Sequence, residues 1–169
     1  MSTRHCIIDT QLGGLTLVAI NDALTGIYFP KHWHLPAQAD FGQQVDAVDD
    51  ALFTRTAAQL TEYFHGERTQ FELPTALTGT PLQERVWDLL VEIPYGETVT
   101  YGDLATALGD AGAWEVGQAV GRNPISIVVP CHRVVGKDGR LTGYAGGLTR
   151  KRLLLEREES VESGLARLF

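Results

Sequence analysis

Apolar and polar positions follow two different rhythms along this chain of 169 residues. Near the N-terminus the pattern is strand-like. Cys6-Ile7-Ile8, the run from Leu15 to Ile20, and Gly26-Ile27-Tyr28-Phe29 are separated by Gly13-Gly14 and Asn21-Asp22. Short apolar runs punctuated by such turn residues predict three antiparallel strands over residues 4–29. Residues 30–46, broken by Pro30, Pro36 and Gly42, read as a loop. Over residues 46–65 the spacing becomes helical, with Val48, Leu52, Phe53, Leu60 and Phe64 on one face and Gly66 just past the end. Residues 67–73 read as a further short strand, and residues 74–80 as a linker between two domains, 1–73 and 81–169.

Beyond the linker the pattern is helical. Thr80-Pro81-Leu82-Gln83 combines a capping threonine, a proline in the first turn and a glutamine three residues on, which starts a helix that runs through Val86, Trp87, Leu90 and Ile93. A short helix over residues 100–108 follows, then Gly109, then a second helix from Ala113 to Val120 with Val116 and Val120 facing inward. A small residue in mid-helix and a glycine at the bend are what a helix-turn-helix requires. Asn123-Pro124 marks a turn, and Ile125 to Val129 is an apolar, β-branched run cut off by Pro130, which cannot donate to a sheet ladder. Cys131-His132-Arg133 stands at that break. A buried, inert cysteine is the commoner case; an imidazole beside it at an enforced break points instead to a nucleophile.

Composition changes this picture in two places. The net charge is −7, but residues 1–113 hold 5 Lys/Arg against 15 Asp/Glu, residues 114–157 hold 8 against 3, and the tail holds 1 against 3. A basic segment on an acidic body is compatible with a single phosphate-binding face. Two cysteines, Cys6 and Cys131, are too few for a disulfide scaffold, and free thiols in a reducing compartment are expected. No apolar run approaches the ~20 residues that span a bilayer, and the N-terminus lacks the apolar core of a signal peptide, so the expected location is cytoplasmic, or nucleoid-associated in a bacterium. His32 and His34, with His5 or Cys6, match no standard zinc spacing and are read as loop histidines.

Three segments together carry a resemblance: Ile93-Pro94-Tyr95-Gly96-Glu97-Thr98 with Tyr101; Gly117, Val120 and Asn123-Pro124-Ile125; and Ile127 through Pro130-Cys131-His132-Arg133-Val134-Val135 to Thr142-Gly143-Tyr144-Ala145-Gly146-Gly147. In these the chain resembles the O6-alkylguanine-DNA alkyltransferases, the methylated-DNA–protein-cysteine methyltransferases, clearly from Thr80 to Glu158 and more loosely before. The resemblance implies an α+β fold, with a ribonuclease-H-like N-terminal sheet and helix and a C-terminal winged helix-turn-helix-like domain. It also implies DNA repair by a single-use reaction. The protein flips an O6-alkylguanine (less readily an O4-alkylthymine) out of double-stranded DNA through the minor groove. The alkyl group then passes irreversibly to Cys131, with no cofactor and no metal, and the protein works as a monomer away from membranes.

The roles implied by the resemblance fall on particular residues. A free thiol of pKa ~8.5 is only a few per cent ionised at neutral pH, so the nucleophile needs help. His132 would take its proton through a water, and Glu158 would orient the histidine. Tyr101 would donate to the departing guanine, and Asn123 would join the helix-turn-helix to the cysteine segment. Tyr144, Ala145, Gly146, Val134 and Val120 would form the base pocket, while Ala113, Trp114, Gly117, Gln118 and Arg122 would meet DNA. Arg133 reads as structural. The sequence departs from the family where an arginine usually enters the vacated base stack, which is here Trp114, and at the small residue that follows, here Glu115. An aromatic wedge can stack, whereas a carboxylate repels phosphate, so weakened or altered duplex binding is expected. The alternatives are a lesion-binding protein without chemistry, which the presence of Cys131 argues against, and a winged-helix DNA-binding regulator; a cysteine hydrolase is disfavoured because adjacent Cys and His on an extended segment point apart and hydrolase signatures are absent.

Overall fold

The computed structural model describes residues 2–163 of the chain. β1 (Thr3–Thr10), β2 (Gly13–Ile20) and β3 (Ala23–Tyr28) form the expected antiparallel meander. Its two turns use Gly13 at φ 107° and Asn21 at φ 54°, the residue types that reach positive φ at least cost. A fourth, unforeseen strand, β4 (Gln43–Gln44), lies parallel to β1, so the sheet order is β3-β2-β1-β4 rather than three strands alone. Two polar residues on an edge carry no apolar signal by which the sequence could announce them.

The helix α1 (Ala51–Phe64) starts later than its periodicity implied. Asp50 Oδ1 accepts the Leu52 and Phe53 amides at 3.1 and 3.2 Å and also pairs with Arg4, which fixes the start at residue 51. Residues 47–49 form a separate 3-10 turn, and Val48, expected on the buried face, is solvent-exposed. Residues 67–73 form no strand. Their backbone is claimed from the helix side: Gln59 accepts the Glu72 amide at 2.9 Å and donates to its carbonyl at 3.2 Å, leaving no ladder to make.

The free edge of β3 sets the arrangement of everything downstream. Leu24 exchanges backbone hydrogen bonds with Pro74 and Ala76, at 2.9 and 2.8 Å, so the stretch expected to be a linker is strapped along the sheet. Three residues further on, the Ile27 amide donates to Pro124 O at 2.9 Å and Ile27 O accepts from Ser126 at 3.3 Å. The segment leading to Cys131 is thus an extension of the N-terminal sheet.

The C-terminal half contains α2 (Pro81–Leu90), β5 (Val99–Thr100), α3 (Tyr101–Leu108), α4 (Ala113–Gly121), β6 (Val134–Val135) and α5 (Leu148–Ser163). The capping box at Thr80 and Gln83 forms as expected. Gly109, at φ 83°, makes the left-handed turn between α3 and α4. Val116 and Val120 are buried, and Trp87 Nε1 donates to Ala119 O at 2.9 Å, tying α2 to α4. β5 pairs in parallel with β6. One apolar core runs from Leu15, Leu17 and Phe53 on the sheet side to Val86, Val116 and Leu154 on the helical side.

The wall after the cysteine is packed back onto the sheet through Gly146. A Cβ there would lie 2.4 Å from Phe29 Cδ2 and 2.9 Å from Tyr144 Cε2. Gly146→Ala is therefore expected to cost about 1–3 kcal/mol by overpacking, read as a lowered urea midpoint at unchanged slope.

Candidate active site

The run from Ile125 to Val129, expected to be extended, is instead a tight turn. Val129 N donates to Ile125 O at 3.0 Å, Cys131 N donates to Val129 O at 2.8 Å, and Ile127 sits at φ 72°. A β-branched residue in that region is strained by about 1–3 kcal/mol. Asn123 holds the turn closed. Its buried amide donates to Val129 O at 2.8 Å and Ile125 O at 3.4 Å, and its Oδ1 accepts the Ile125 amide at 3.1 Å. Pro130 then delivers Cys131, His132 and Arg133 as one 3-10 turn that sends the cysteine one way and its two neighbours another.

His132 and Arg133 point back to Glu158 on α5. His132 Nε2 lies 2.6 Å from Glu158 Oε2, and Arg133 Nε donates to Oε1 at 2.8 Å. Tyr63 on α1 donates to Oε2 at 2.6 Å, and Arg133 also donates to Ile93 O at 2.7 Å. Burial alone would raise the Glu158 pKa; His132 and Arg133 override it and bring it down to about 2. Burial lowers the His132 pKa against the pull of Glu158, so the imidazole is neutral near pH 7 and presents Nε2–H to the carboxylate. That tautomer leaves Nδ1 as the basic nitrogen, and Nδ1 has no hydrogen-bond partner among the described residues.

Cys131 lies at the floor of a cavity of about 410 Å³ between the helix-turn-helix and the segment of residues 143–145. Burial raises the thiol pKa, opposed by the Asn123 amide, the Lys151 ammonium and Tyr144. A buried thiol of raised pKa is a poor nucleophile until a base takes its proton. Lys151 was not singled out by sequence. It is fully buried on α5, donates from Nζ to Thr142 O at 3.0 Å and sits 5.9 Å above the Tyr101 ring. Burial lowers its pKa to about 8, with Cys131 pulling the other way. Nothing in a Thr-Arg-Lys-Arg run distinguishes this lysine from its solvated neighbours.

Of the residues expected in the site, Tyr101, Ala113, Trp114, Gly117, Gln118, Val120, Cys131, Tyr144 and Ala145 line the cavity together. His132, Glu158 and Asn123 lie behind the cysteine. Three fall elsewhere: Val134 is in the core on β6, Gly146 faces Phe29, and Arg122 caps α4 in solvent. Trp114 is 75% exposed at the lip rather than turned into the core. Glu115 Oε1 accepts the Gly112 amide at 3.5 Å at the start of α4. The basic excess is partly spent inside: Arg133 holds Glu158, Lys151 is buried, and Arg150 bonds Leu12 O, Pro30 O and Gly146 O. His5 lies against the Phe41 and Gly42 carbonyls, and His32 takes the Phe29 amide.

The model for the 6-O-methylguanine DNA methyltransferase ribonuclease-like domain matches residues 4–77, and that for the DNA binding domain of the same proteins matches residues 81–160. The chain belongs to the methylated-DNA–protein-cysteine methyltransferase family. Family members from Mycobacterium tuberculosis and Mycobacterium bovis are 45% identical over 154 residues, 90% of each chain. A family member from Methanosarcina barkeri is 43% identical over 91% of this chain and 96% of its own. The crystal structure of the M. tuberculosis protein in complex with DNA superposes with a TM-score of 0.84 at 43% identity, covering 94% of each chain.

The methyltransferase chain acquires an acid-sensitive element through Glu158. The folded state holds the Glu158 proton far more weakly than the unfolded chain does. This contribution is therefore complete above about pH 4.5 and is lost as pH falls toward about 2. Chemical denaturation across that window is expected to show a flatter acid limb in Glu158→Gln than in the parent, together with lower stability at pH 7.

Proposed function

We propose that Cys131 is the single-use acceptor of an alkyl group from O6-alkylguanine in duplex DNA. The chain is a DNA-repair enzyme of the methylated-DNA–protein-cysteine methyltransferase type. The observation that carries the residue-level reading is the placement of one thiol at the floor of a helix-turn-helix-lined cavity, with a His132–Glu158 pair directly behind it. His132 takes the thiol proton through a water, Glu158 keeps Nε2 protonated and Nδ1 basic, and Lys151 holds positive charge beside the thiolate. The sulfur attacks the alkyl carbon in line. The S–C bond forms as the C–O6 bond breaks, and guanine leaves with the electron pair. Tyr101 donates a proton to the departing base, and the proton that His132 took from the thiol returns through solvent to restore the tyrosine. The net change is a thioether on the protein and a guanine carrying the proton the thiol lost.

The base is read as extruded through the minor groove and the protein as a monomer on its DNA. Among the described residues no helix is long and apolar enough to cross a membrane.

The test is stoichiometric: incubation with a duplex carrying O6-methylguanine, followed by intact mass. One adduct per chain on Cys131 is expected, with none in Cys131→Ser; turnover beyond one equivalent, or no adduct, overturns the proposal. His132→Ala is expected to slow adduct formation by about 10²–10⁴-fold and to make the rate climb with pH, because the buried thiol must then ionise unaided.

Trp114 is read as the wedge at the lip. A tryptophan there contributes stacking worth about 1–3 kcal/mol but no counterion release. Trp114→Arg is expected to tighten undamaged-duplex binding several-fold at low salt and to steepen the slope of log affinity against log salt by about 0.9. An unchanged slope would show that this position does not meet the phosphates.

A further inference from the structure

The loop after β3 carries His32-Trp33-His34, which the alkyl-transfer reading leaves without a role. It is not a loose loop. The Lys31 backbone at φ 58° turns the chain, His32 N donates to Phe29 O at 3.3 Å, and the buried His32 ring stacks on Phe29 at 6.2 Å. Phe29 is in turn covered by the Arg150 guanidinium, 5.1 Å from its ring centre, and Arg150 donates to Pro30 O and Gly146 O at 3.4 and 3.0 Å. This mount aims Trp33 across at the wall beside the cysteine. Its amide donates to Ala145 O at 2.9 Å, and its indole lies over Gly143. A Cβ on Gly143 would come within 3.1 Å of Trp33 Cη2 and Cζ3, so the absence of a side chain there is what admits the ring.

Trp33 lines the same cavity as Cys131, on the side opposite the helix-turn-helix, and 53% of it remains exposed. A large, flat, apolar face held this firmly and left half uncovered gains by being covered, at about 25 cal/mol per Å². In an in-line attack the sulfur stands opposite O6, so the rest of the substituent branches sideways from the attacked carbon, and the Trp33 wall is a side of the cavity open to it. A methyl group is too small to reach that wall, whereas a flat aromatic substituent can stack on it.

We propose that Trp33, supplied by the N-terminal half, is a specificity-determining residue whose indole binds the departing substituent and favours bulky, flat alkyl groups over methyl. The proposal rests on the alkyl-transfer reading of Cys131. It is tested with two duplexes of one sequence, carrying O6-benzylguanine or O6-methylguanine, by following the Cys131 adduct by intact mass in the parent, Trp33→Ala and Trp33→Phe. The expected result is a benzyl-to-methyl rate ratio at least tenfold lower in Trp33→Ala and restored to within about threefold in Trp33→Phe. A ratio in Trp33→Ala within twofold of the parent overturns the proposal, whether both rates fall together or neither moves. Absence of any adduct in the parent would overturn the alkyl-transfer reading itself and the proposal with it.

Discussion

The Glu158 carboxylate is the interaction on which the site depends. Its two oxygens gather His132, Arg133 and Tyr63, which arrive from the turn after Pro130 and from the helix α1, while Glu158 itself comes from α5. A buried charge with this many donors is stable only while all of them are present; removing one partner leaves an uncompensated ion in a low-dielectric interior. The fold is therefore closed around the site. Packing α5 against the 131–133 turn satisfies the histidine's Nε2 and fixes the tautomer that leaves Nδ1 basic and unpartnered among the described residues. Arg133 fixes the same carboxylate with a fork and reaches Ile93 O, so the end of α2 is bound into the arrangement as well.

Against that electrostatic anchor works a strained turn. Ile127 at positive φ is an unfavourable place for a β-branched side chain, and the turn has to be held from outside. Asn123 does so from within, through three hydrogen bonds, and β3 does so from the sheet, through Ile27 and its partners at Pro124 and Ser126. The result is a cysteine whose backbone is fixed at both ends, as a nucleophile needs when the reacting carbon must lie in line with the sulfur. The N-terminal sheet thus positions the thiol, and Trp33 extends the same sheet's influence to the cavity wall.

Much of this was legible in the order of residues. Gly13-Gly14 and Asn21-Asp22 marked the two hairpins, Thr80 with Gln83 marked the start of α2, and Gly109 marked the helix-turn-helix bend, because each of those residue types answers a local backbone requirement. What the sequence hid was long-range. Glu158 looks by residue type like any acid in a charged helix end; the family resemblance singles it out, and the physical reason lies in partners brought to it across some 25 and 95 residues. Lys151 was hidden for the same reason. The run before Pro130 misled in the opposite sense: β-branched residues favour strands, and the tertiary clamp of Asn123 overrode that preference.

The charge count also reads differently once the side chains are placed. A surplus over residues 114–157 describes a DNA-binding face only if the cations point outward, and Arg133, Arg150 and Lys151 are committed to internal partners. Arg122, Lys137, Arg140 and Arg152 remain exposed. With Glu115 adding a negative charge at the start of α4 and Trp114 bringing an aromatic plane to the lip, this face offers more for stacking than for phosphate neutralisation. Two indoles, Trp114 at the lip and Trp33 on the far wall, then bracket the route to Cys131. Under the proposed alkyl transfer, such a bracket favours what can be stacked, first the extruded base and then the group it carries.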